Sequence, residues 1–141
     1  MSTIPVNADA VLRRKCRMAF QHQSEAAAKE HLRLPYTASD LFELAKASPQ
    51  CRYCLAVLSF GFEFDHFTPI ARTPQAHRLD NICCACPDCN RLKGGGMDGE
   101  EFTRFLRVLD GMDPRSAADI RRRLIAGSKR YATSRKRRPA G

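Results

Sequence analysis

Apolar residues recur with helical spacing in two stretches of the first third of the chain. Residues 9–34 carry a partial apolar face, Asp9 can cap this helix, and Pro35 stops it. A second helix begins after Thr37 or Ser39, both of which are good N-cap residues. The pattern therefore predicts two consecutive helices in this part of the chain.

Helical spacing returns after residue 98. Apolar residues at positions i, i+3, i+4 and i+7 predict a helix over residues 99–109. A further helix begins at Pro114, runs to about Ala126 and can end at Gly127. The apolar positions of the first of these two helices are Phe102, Phe105, Leu106 and Leu109.

Between these helical regions the apolar residues follow the period of two that is typical of a strand. Phe60, Phe62 and Phe64 alternate with glycine and glutamate, which predicts a half-buried strand. The short apolar segment 81–85 predicts a second strand, and the polar residues 71–80 predict the loop that joins them. Two strands joined in this way are expected to pair as an antiparallel ribbon.

A short helix is predicted directly after the second strand. Pro87 takes the favoured first helical position, Asp88 is an acid in the first turn, and the glycines at 94–96 end the helix. The predicted local order is therefore strand, loop, strand and short helix.

Composition limits the size of the hydrophobic core and indicates where in the cell the protein is expected. The chain has 141 residues and 43% hydrophobic content, which suits one modest domain with extensions. It has no tryptophan, so a small core supported by a metal is plausible. There is no apolar run of about 18 residues and no secretory signal, so we expect no membrane span and a cytoplasmic location, typical of a prokaryote or phage.

Positive charge is clustered at two places in the chain. The formal net charge is +9, and basic residues concentrate in the first helix and in residues 128–141, which we expect to be a disordered tail. The clustering favours nucleic acid as the partner over solubility alone. For the first helix, a solvated face explains the charge equally well.

The seven cysteines predict a metal site. Cys51, Cys54, Cys86 and Cys89 form two Cys-x-x-Cys pairs separated by 31 residues, and four thiolates close a tetrahedral zinc shell. Cys83 with Cys86 is an alternative pair, but the predicted helix start favours Cys86 with Cys89. The other cysteines are Cys16, expected to be a free thiol, and Cys83 and Cys84, expected to pack as small hydrophobic residues.

An Asp-His pair lies between the two cysteine pairs. The ribbon and helix would bring Asp65 and His66, at the end of the first strand, close to Asn90. Asp65 and Asn90 offer oxygen ligands that suit Mg²⁺ or Mn²⁺. His66 could then take a proton from an attacking water, which is the chemistry of phosphodiester hydrolysis.

These residues together resemble the HNH endonuclease family, in its zinc-knuckle subtype with a His-Asn-Asn motif. The resemblance covers about residues 36–110, and it implies an α+β chain with a ββα-metal (His-Me finger) core, a four-cysteine zinc site and additional flanking helices. It rests on Cys51-x-x-Cys54, Asp65-His66-x-x-Pro69, Asn81-Ile82 and Cys86-x-x-Cys89-Asn90-x-x-Lys93.

The resemblance also implies a role for each residue of the motif. His66 would be the general base, Asn81 would orient the loop that carries it, and Asp65 and Asn90 would hold a catalytic Mg²⁺ or Mn²⁺. Lys93 would face phosphate. The structural zinc would be held by Cys51, Cys54, Cys86 and Cys89. The chain departs from the family at residues 71–77, where a glycine pair is usual, and at Cys83 and Cys84.

The sequence suggests four segments and one partner. We expect a basic helix over 1–35, the nuclease domain over 36–110, a helix over 111–127 and a basic tail over 128–141. Double-stranded DNA is the expected partner, contacted by Arg13, Arg14, Arg91, Lys93, Lys129 and Arg130.

The sequence leaves two alternatives to a nuclease open, and it also allows a prediction for each of three further histidines. A zinc-stabilised nucleic-acid-binding module without catalysis is the main alternative to a nuclease, and a protein-interaction zinc domain is a weaker one that the net charge does not favour. His77 is expected to be exposed in its loop. His22 and His31 are expected to be ordinary surface or packing residues of the first helix.

Overall fold

The computed structural model describes residues 8–73 and 75–137, with side chains placed up to residue 127. The described chain is α+β, as predicted, with one two-stranded antiparallel sheet. Its elements are α1 (Ala8–Lys29), α2 (Ala38–Lys46), β1 (Glu63–His66), β2 (Ile82–Ala85), α3 (Pro87–Lys93), α4 (Gly99–Asp110) and α5 (Pro114–Arg137). Two short 3-10 turns, Ile70–Arg72 and Leu79–Asn81, lie in the β1–β2 connection.

Helix α1 ends earlier than Pro35 predicted. His31 has φ 60°, and Leu32 N donates to Ala27 O while His31 N donates to Ala28 O. These two bonds form a Schellman C-cap, which usually requires glycine at the left-handed position. A histidine in that position gives no sequence signal, so the end of α1 could not be predicted from composition.

Helix α2 begins where the sequence predicted. Thr37 is its N-cap: Thr37 Oγ1 accepts from Asp40 N at 3.2 Å, and Asp40 Oδ2 accepts from Thr37 N at 2.8 Å. This reciprocal pair is a capping box. It decides between the two candidate caps in favour of Thr37.

The strand β1 is shorter than the run of phenylalanines suggested. Phe60 and Gly61 lie in a turn, closed by the bond from Phe62 N to Ser59 O, and the strand begins only at Glu63. The predicted antiparallel pairing is confirmed, with Asp65 opposite Cys83 and His66 opposite Ile82.

The hairpin of β1 and β2 is covered on both faces. Residues opposite each other in an antiparallel pair point to the same side, and successive residues alternate. One face packs under α1 and α2, in a cluster of Cys16, Tyr36, Leu41, Phe42 and Ile82. The other face packs against α3, α4 and α5, in a cluster that includes Tyr53, Ala85, Cys89, Leu92, Phe102, Leu106 and Leu109. Asp65 and His66 therefore point to opposite faces.

Helix α4 is placed against the residue that follows β1. Gly99 N donates to Phe67 O at 2.7 Å, and a Cβ on residue 99 would overlap the Phe67 ring. Asp98 caps α4 by accepting from Glu100 N and also accepts from the Thr68 hydroxyl. Glycine at position 99 thus permits the close approach of α4 to the end of β1.

Helix α5 continues past the residue that was expected to end it. Its backbone is helical to Arg137, so the predicted stop at Gly127 is wrong, and residues 138–141 of the predicted tail lie outside the described residues. Gly127 is permitted within a helix at a modest cost, and nothing near it forces a break. Among the described helices none is long and apolar enough to span a membrane.

Candidate active site and metal centre

Four cysteine side chains lie close together, two from the turn at residues 51–54 and two from the start of α3. The Sγ atoms of Cys51, Cys54, Cys86 and Cys89 all lie within 4.8 Å of one another, and Cys54 and Cys86 are 3.8 Å apart. A tetrahedral zinc shell with Zn–S bonds of about 2.3 Å needs sulfur atoms about 3.8 Å apart. The cluster has the donor set and the spacing to hold zinc. It also confirms the pairing of Cys86 with Cys89.

Backbone N–H groups are directed at the sulfur atoms. Cys86 N donates to Cys51 Sγ, and Cys89 N donates to Cys86 Sγ, the N-cap of α3. Burial alone would raise the pKa of Cys51, but backbone N–H groups of Cys54, Cys86 and Tyr53 together lower it to about 7. Burial, and then Cys51, raise the pKa of Cys89. A divalent cation would offset the cost of placing these thiolates together.

The remaining cysteines lie outside the metal cluster. Cys16 and Cys84 are buried, and burial raises the pKa of Cys84 to about 12. Cys83 lies on the other face of β2, where burial raises its pKa to about 11. Burial also raises the pKa of Cys16, which is a free thiol as predicted, and Cys83 and Cys84 pack as small hydrophobic residues as predicted.

Asp65 is held by two donors on the α3 side of the hairpin. Its Oδ2 accepts from Tyr53 Oη at 2.6 Å and lies 3.2 Å from Lys93 Nζ. Burial and the bond to Asp65 raise the pKa of Tyr53, so the phenol remains a donor.

The prediction that Lys93 faces phosphate is wrong. The residue is only 4% exposed, and its ammonium also donates to His66 O at 3.0 Å. A buried ammonium needs a charged partner, and Asp65 supplies it. Lys93 therefore links α3 to the end of β1.

Asn90 lies one helical turn before Lys93 and makes a parallel link. Its Nδ2 donates to Glu63 Oε2, and Glu63 stands two residues before Asp65 on the same face of β1. Asp65 and Asn90 therefore lie at the same β1–α3 interface, each bound to a different partner. The prediction that His66 is brought to Asn90 as well is wrong, because His66 alternates to the opposite face of β1. Glu63 is not among the predicted site residues, although the period of two through Asp65 places it on the same face of β1.

Asn81 fastens the two ends of the long connection. Its Oδ1 accepts from Thr68 N at 2.8 Å, and its Nδ2 donates to Thr68 O and to Ala76 O, both at 2.9 Å. One side chain thus holds the segment just after His66 and the segment just before His77. This is the kind of support that the resemblance implied for Asn81.

His66 lies at the end of β1, on the face that α1 covers. Its Nε2 is buried and has no hydrogen-bond partner among the described residues. Burial, and then the adjacent His77, lower the pKa of His66, while Asp65 acts in the opposite direction. At neutral pH the imidazole is therefore unprotonated and able to accept a proton.

His77 is buried beside His66, so the prediction of an exposed loop histidine is wrong. It is 6% exposed, its ring packs edge-on against His66 with centroids 5.9 Å apart, and its Nε2 lies 3.1 Å from Glu30 Oε2. The cause is the end of α1, which brings Glu30 over a loop that looks polar in sequence.

A groove of about 630 Å³ runs between α1 and β1, and His66 forms part of its wall. Arg14 also lines it, whereas the guanidinium of Arg13 stacks on the Phe42 ring at 4.0 Å and is not among the lining residues. Lys15 donates to Phe60 O at 2.7 Å. Other lining residues are His22, Phe60, Phe62 and Glu63.

Residues 51–96 match the model of the HNH endonuclease family. The chain contains an HNH domain. The comparison with curated proteins and the comparison with solved structures each give no match. The matched segment contains the hairpin, α3 and all four clustered cysteines, which is consistent with the zinc-knuckle subtype.

A second basic surface borders the HNH domain on the α4 side. Three arginines, Arg52, Arg104 and Arg107, and one acid, Glu100, line a depression of about 500 Å³ around Phe67. The Arg52 guanidinium lies 5.0 Å from the Phe67 ring centroid. Within the described residues none of these three arginines has a carboxylate partner. We call this surface the Arg52 patch. The i, i+3 spacing on α4 was its only sequence signal.

The other residues predicted to contact DNA are spread around the HNH domain. Arg91 is exposed on α3, while the side chains of Lys129 and Arg130 lie outside the described part of the chain. His22 lines the groove, and His31 forms the C-cap of α1. The basic groups near the end of β1 therefore include Arg14 and Lys15 in the groove and the Arg52 patch.

Proposed function

We propose that this chain is a metal-dependent endonuclease that hydrolyses phosphodiester bonds of DNA. His66 is the general base, and Asp65 and Asn90 hold a divalent cation. The observation that supports this most strongly is the arrangement around Asn81, which fixes the backbone of Thr68 and with it the end of β1 that carries Asp65 and His66. Packing alone does not require the backbone beside an Asp-His pair to be held this firmly, whereas a catalytic role for the pair does.

His66 is the group that accepts the proton in the proposed reaction. The unprotonated imidazole accepts a proton from the water that attacks phosphorus, and the P–O bond to the leaving oxygen breaks as the new P–O bond forms. Mg²⁺ or Mn²⁺, when bound, stabilises charge on the phosphate and the leaving oxygen. The bond from Lys93 to His66 O, together with the bonds of Asn81, keeps the base in one place.

The residues at the β1–α3 interface fit a hard cation. Tyr53 and Lys93 both bind Oδ2 of Asp65, while the described residues place no hydrogen-bond donor on Oδ1. Glu63 adds a second carboxylate beside Asn90. Carboxylate and amide oxygens are the ligands that Mg²⁺ and Mn²⁺ prefer.

One observation favours the alternative, a zinc-stabilised module that binds nucleic acid without cutting it. Lys93 already neutralises Asp65, so Asp65 could serve only as the counter-ion of a buried lysine. The two functions differ in one measurement, because only the nuclease breaks phosphodiester bonds.

The proposed function is tested by incubating the zinc-loaded protein with supercoiled plasmid and Mg²⁺, Mn²⁺, Ca²⁺ or no added divalent cation. We expect nicked or linear product with Mg²⁺ or Mn²⁺ only. Asp65→Asn is expected to require more metal, and its thermal unfolding is measured in parallel because Lys93 loses its partner. Plasmid that is retarded in a gel but never cut with any cation would leave the binding module as the function.

The Arg52 patch is expected to bind the DNA backbone. Arg104→Gln with Arg107→Gln should weaken DNA binding and lower the slope of log K against log salt concentration by about 1.8, since each phosphate contact contributes about 0.9. Fluorescence anisotropy with a labelled duplex over a salt series measures this slope.

A matched control removes the same charge elsewhere. Arg122 and Arg123 lie on α5 and are paired with Asp119. Arg122→Gln with Arg123→Gln lowers the net charge equally but should leave the slope nearly unchanged. Equal slopes for both double variants would mean that net charge alone attracts DNA and that the Arg52 patch is not a contact surface.

A further inference from the structure

We infer that Glu30 and His77 form a dyad that fixes the tautomer and orientation of His66, so that the turn that ends α1 contributes to the active site from outside the matched segment. This inference rests on the proposed function in one respect only, the role of His66 as base. The dyad itself is a hydrogen-bonded arrangement, and it can be observed without catalysis.

The orientation of His77 follows from its partner. Its Nε2 lies 3.1 Å from a carboxylate oxygen of Glu30, and a carboxylate can only accept. Nε2 of His77 therefore carries the proton. In the neutral ring Nδ1 is then an acceptor, and this Nδ1 is buried without a partner.

The missing partner is present on the adjacent ring. Among the described residues, the buried side-chain polar atoms without a hydrogen bond are His77 Nδ1 and His66 Nε2. The two rings pack edge-on, with centroids 5.9 Å apart and an interplanar angle of 82°. A buried polar atom left unpaired is costly, so the N–H of His66 Nε2 is expected to reach His77 Nδ1 directly or through one water.

This bond decides which nitrogen of His66 acts as the base. With the proton on Nε2, the lone pair is on Nδ1. Nε2 is enclosed, whereas His66 also borders the groove that contains Arg14, so the open edge of the ring faces the groove. The dyad thus presents Nδ1 of His66 to a phosphodiester in the groove, which is also lined by Glu63, the partner of Asn90.

Asn81 maintains the spacing of the two histidines. Its Nδ2 donates both to Thr68 O, two residues after His66, and to Ala76 O, one residue before His77. The same side chain therefore supports the base and its positioning residue.

The chain of groups also accommodates the charge that catalysis creates. When Nδ1 of His66 takes the proton of the attacking water, the imidazolium keeps its Nε2–H directed at His77. His77 in turn directs its own N–H at the Glu30 carboxylate. No proton has to move beyond His66, because the carboxylate stabilises the positive charge through the intervening ring.

The first test is a tautomer measurement on the full chain labelled with ¹⁵N-histidine and loaded with zinc. Two-dimensional ¹H–¹⁵N spectra distinguish Nε2–H from Nδ1–H imidazoles, and single histidine variants assign the four rings. We expect His66 in the Nε2–H form and a mixture of forms in Glu30→Gln and His77→Ala. His66 in the Nδ1–H form, or spectra unchanged in both variants, would overturn the inference.

The second test is the cleavage rate under single-turnover conditions. Glu30→Gln is expected to slow cleavage about tenfold or more with unchanged DNA affinity, in the range usual for a residue that orients a reacting group. His77→Gln, which keeps an acceptor, should retain more activity than His77→Ala. Glu25→Gln removes the same charge from the last part of α1, just before Glu30. Glu25 bonds only to exposed Gln21, so this variant should match the wild type.

The two tests separate the dyad from the nuclease. If Glu30→Gln behaves like Glu25→Gln in active protein, the positioning role is wrong. If no form of the protein cuts DNA but the tautomer of His66 changes as expected, the arrangement of the dyad is supported and the proposed function falls.

Discussion

His66→Ala is expected to lower the rate of DNA cleavage by about 100-fold or more, since a positioned general base contributes about 10²–10⁴. The bond from Lys93 goes to the backbone oxygen of His66, so the substitution keeps the link between α3 and the end of β1. Stability and DNA affinity should therefore change little. Initial rates of plasmid nicking with Mn²⁺, thermal unfolding and duplex anisotropy measure the three quantities.

A second histidine of the same groove provides the control. His22 is exposed on α1 and lines the groove with His66. His22→Ala should cleave far faster than His66→Ala, because His22 takes no part in the proton transfer. Cleavage by pure His66→Ala protein at the wild-type rate would remove His66 from the mechanism, whatever the other variants do.

Loss of the metal from the cysteine cluster is expected to have the largest effect on stability. Structural zinc contributes about 10–16 kcal/mol in small domains, while a domain of this size is stable by about 5–15 kcal/mol. Cys89→Ser should therefore prevent stable folding of the hairpin and α3. Metal analysis should give one zinc per chain for the wild type and little for the variant, with a lowered or absent thermal transition.

Cys83→Ser is the matched comparison. Cys83 lies close to the cluster in sequence but points away from it, toward Tyr53 and Asp65. We expect this variant to keep its zinc and most of its stability. A cooperative, unshifted transition in Cys89→Ser protein that contains no zinc would show that packing alone holds the fold.

The parts of the fold that the sequence predicted well are those with local signals. The bounds of α3 follow from Pro87 at its start and Gly94 at its end, where φ is 66° and glycine is favoured. The pairing of Cys86 with Cys89 follows from the same helix start. The start of α2 was predicted to follow Thr37 or Ser39, because N-capping involves only residues that are close in sequence.

The parts that could not be predicted depend on distant residues. Lys93 looks like a phosphate contact in sequence, and only the packing of α3 on β1 shows that Asp65 neutralises it. His77 looks exposed, because its burial depends on Glu30, which lies 47 residues earlier in the chain. The Arg52 patch likewise forms only when α4 packs over Phe67.

The two-sided burial of the hairpin also limits how this domain can be moved between proteins. One face relies on Leu41 and Phe42 of α2, and the other on Phe102 and Leu109 of α4, all outside residues 51–96. A fragment cut at the ends of the family match would expose apolar surface on both sides of a short hairpin and would be prone to aggregate. The transferable unit is therefore the matched segment together with its flanking helices, and a domain exchange designed on motif boundaries alone would fail in folding before it failed in chemistry.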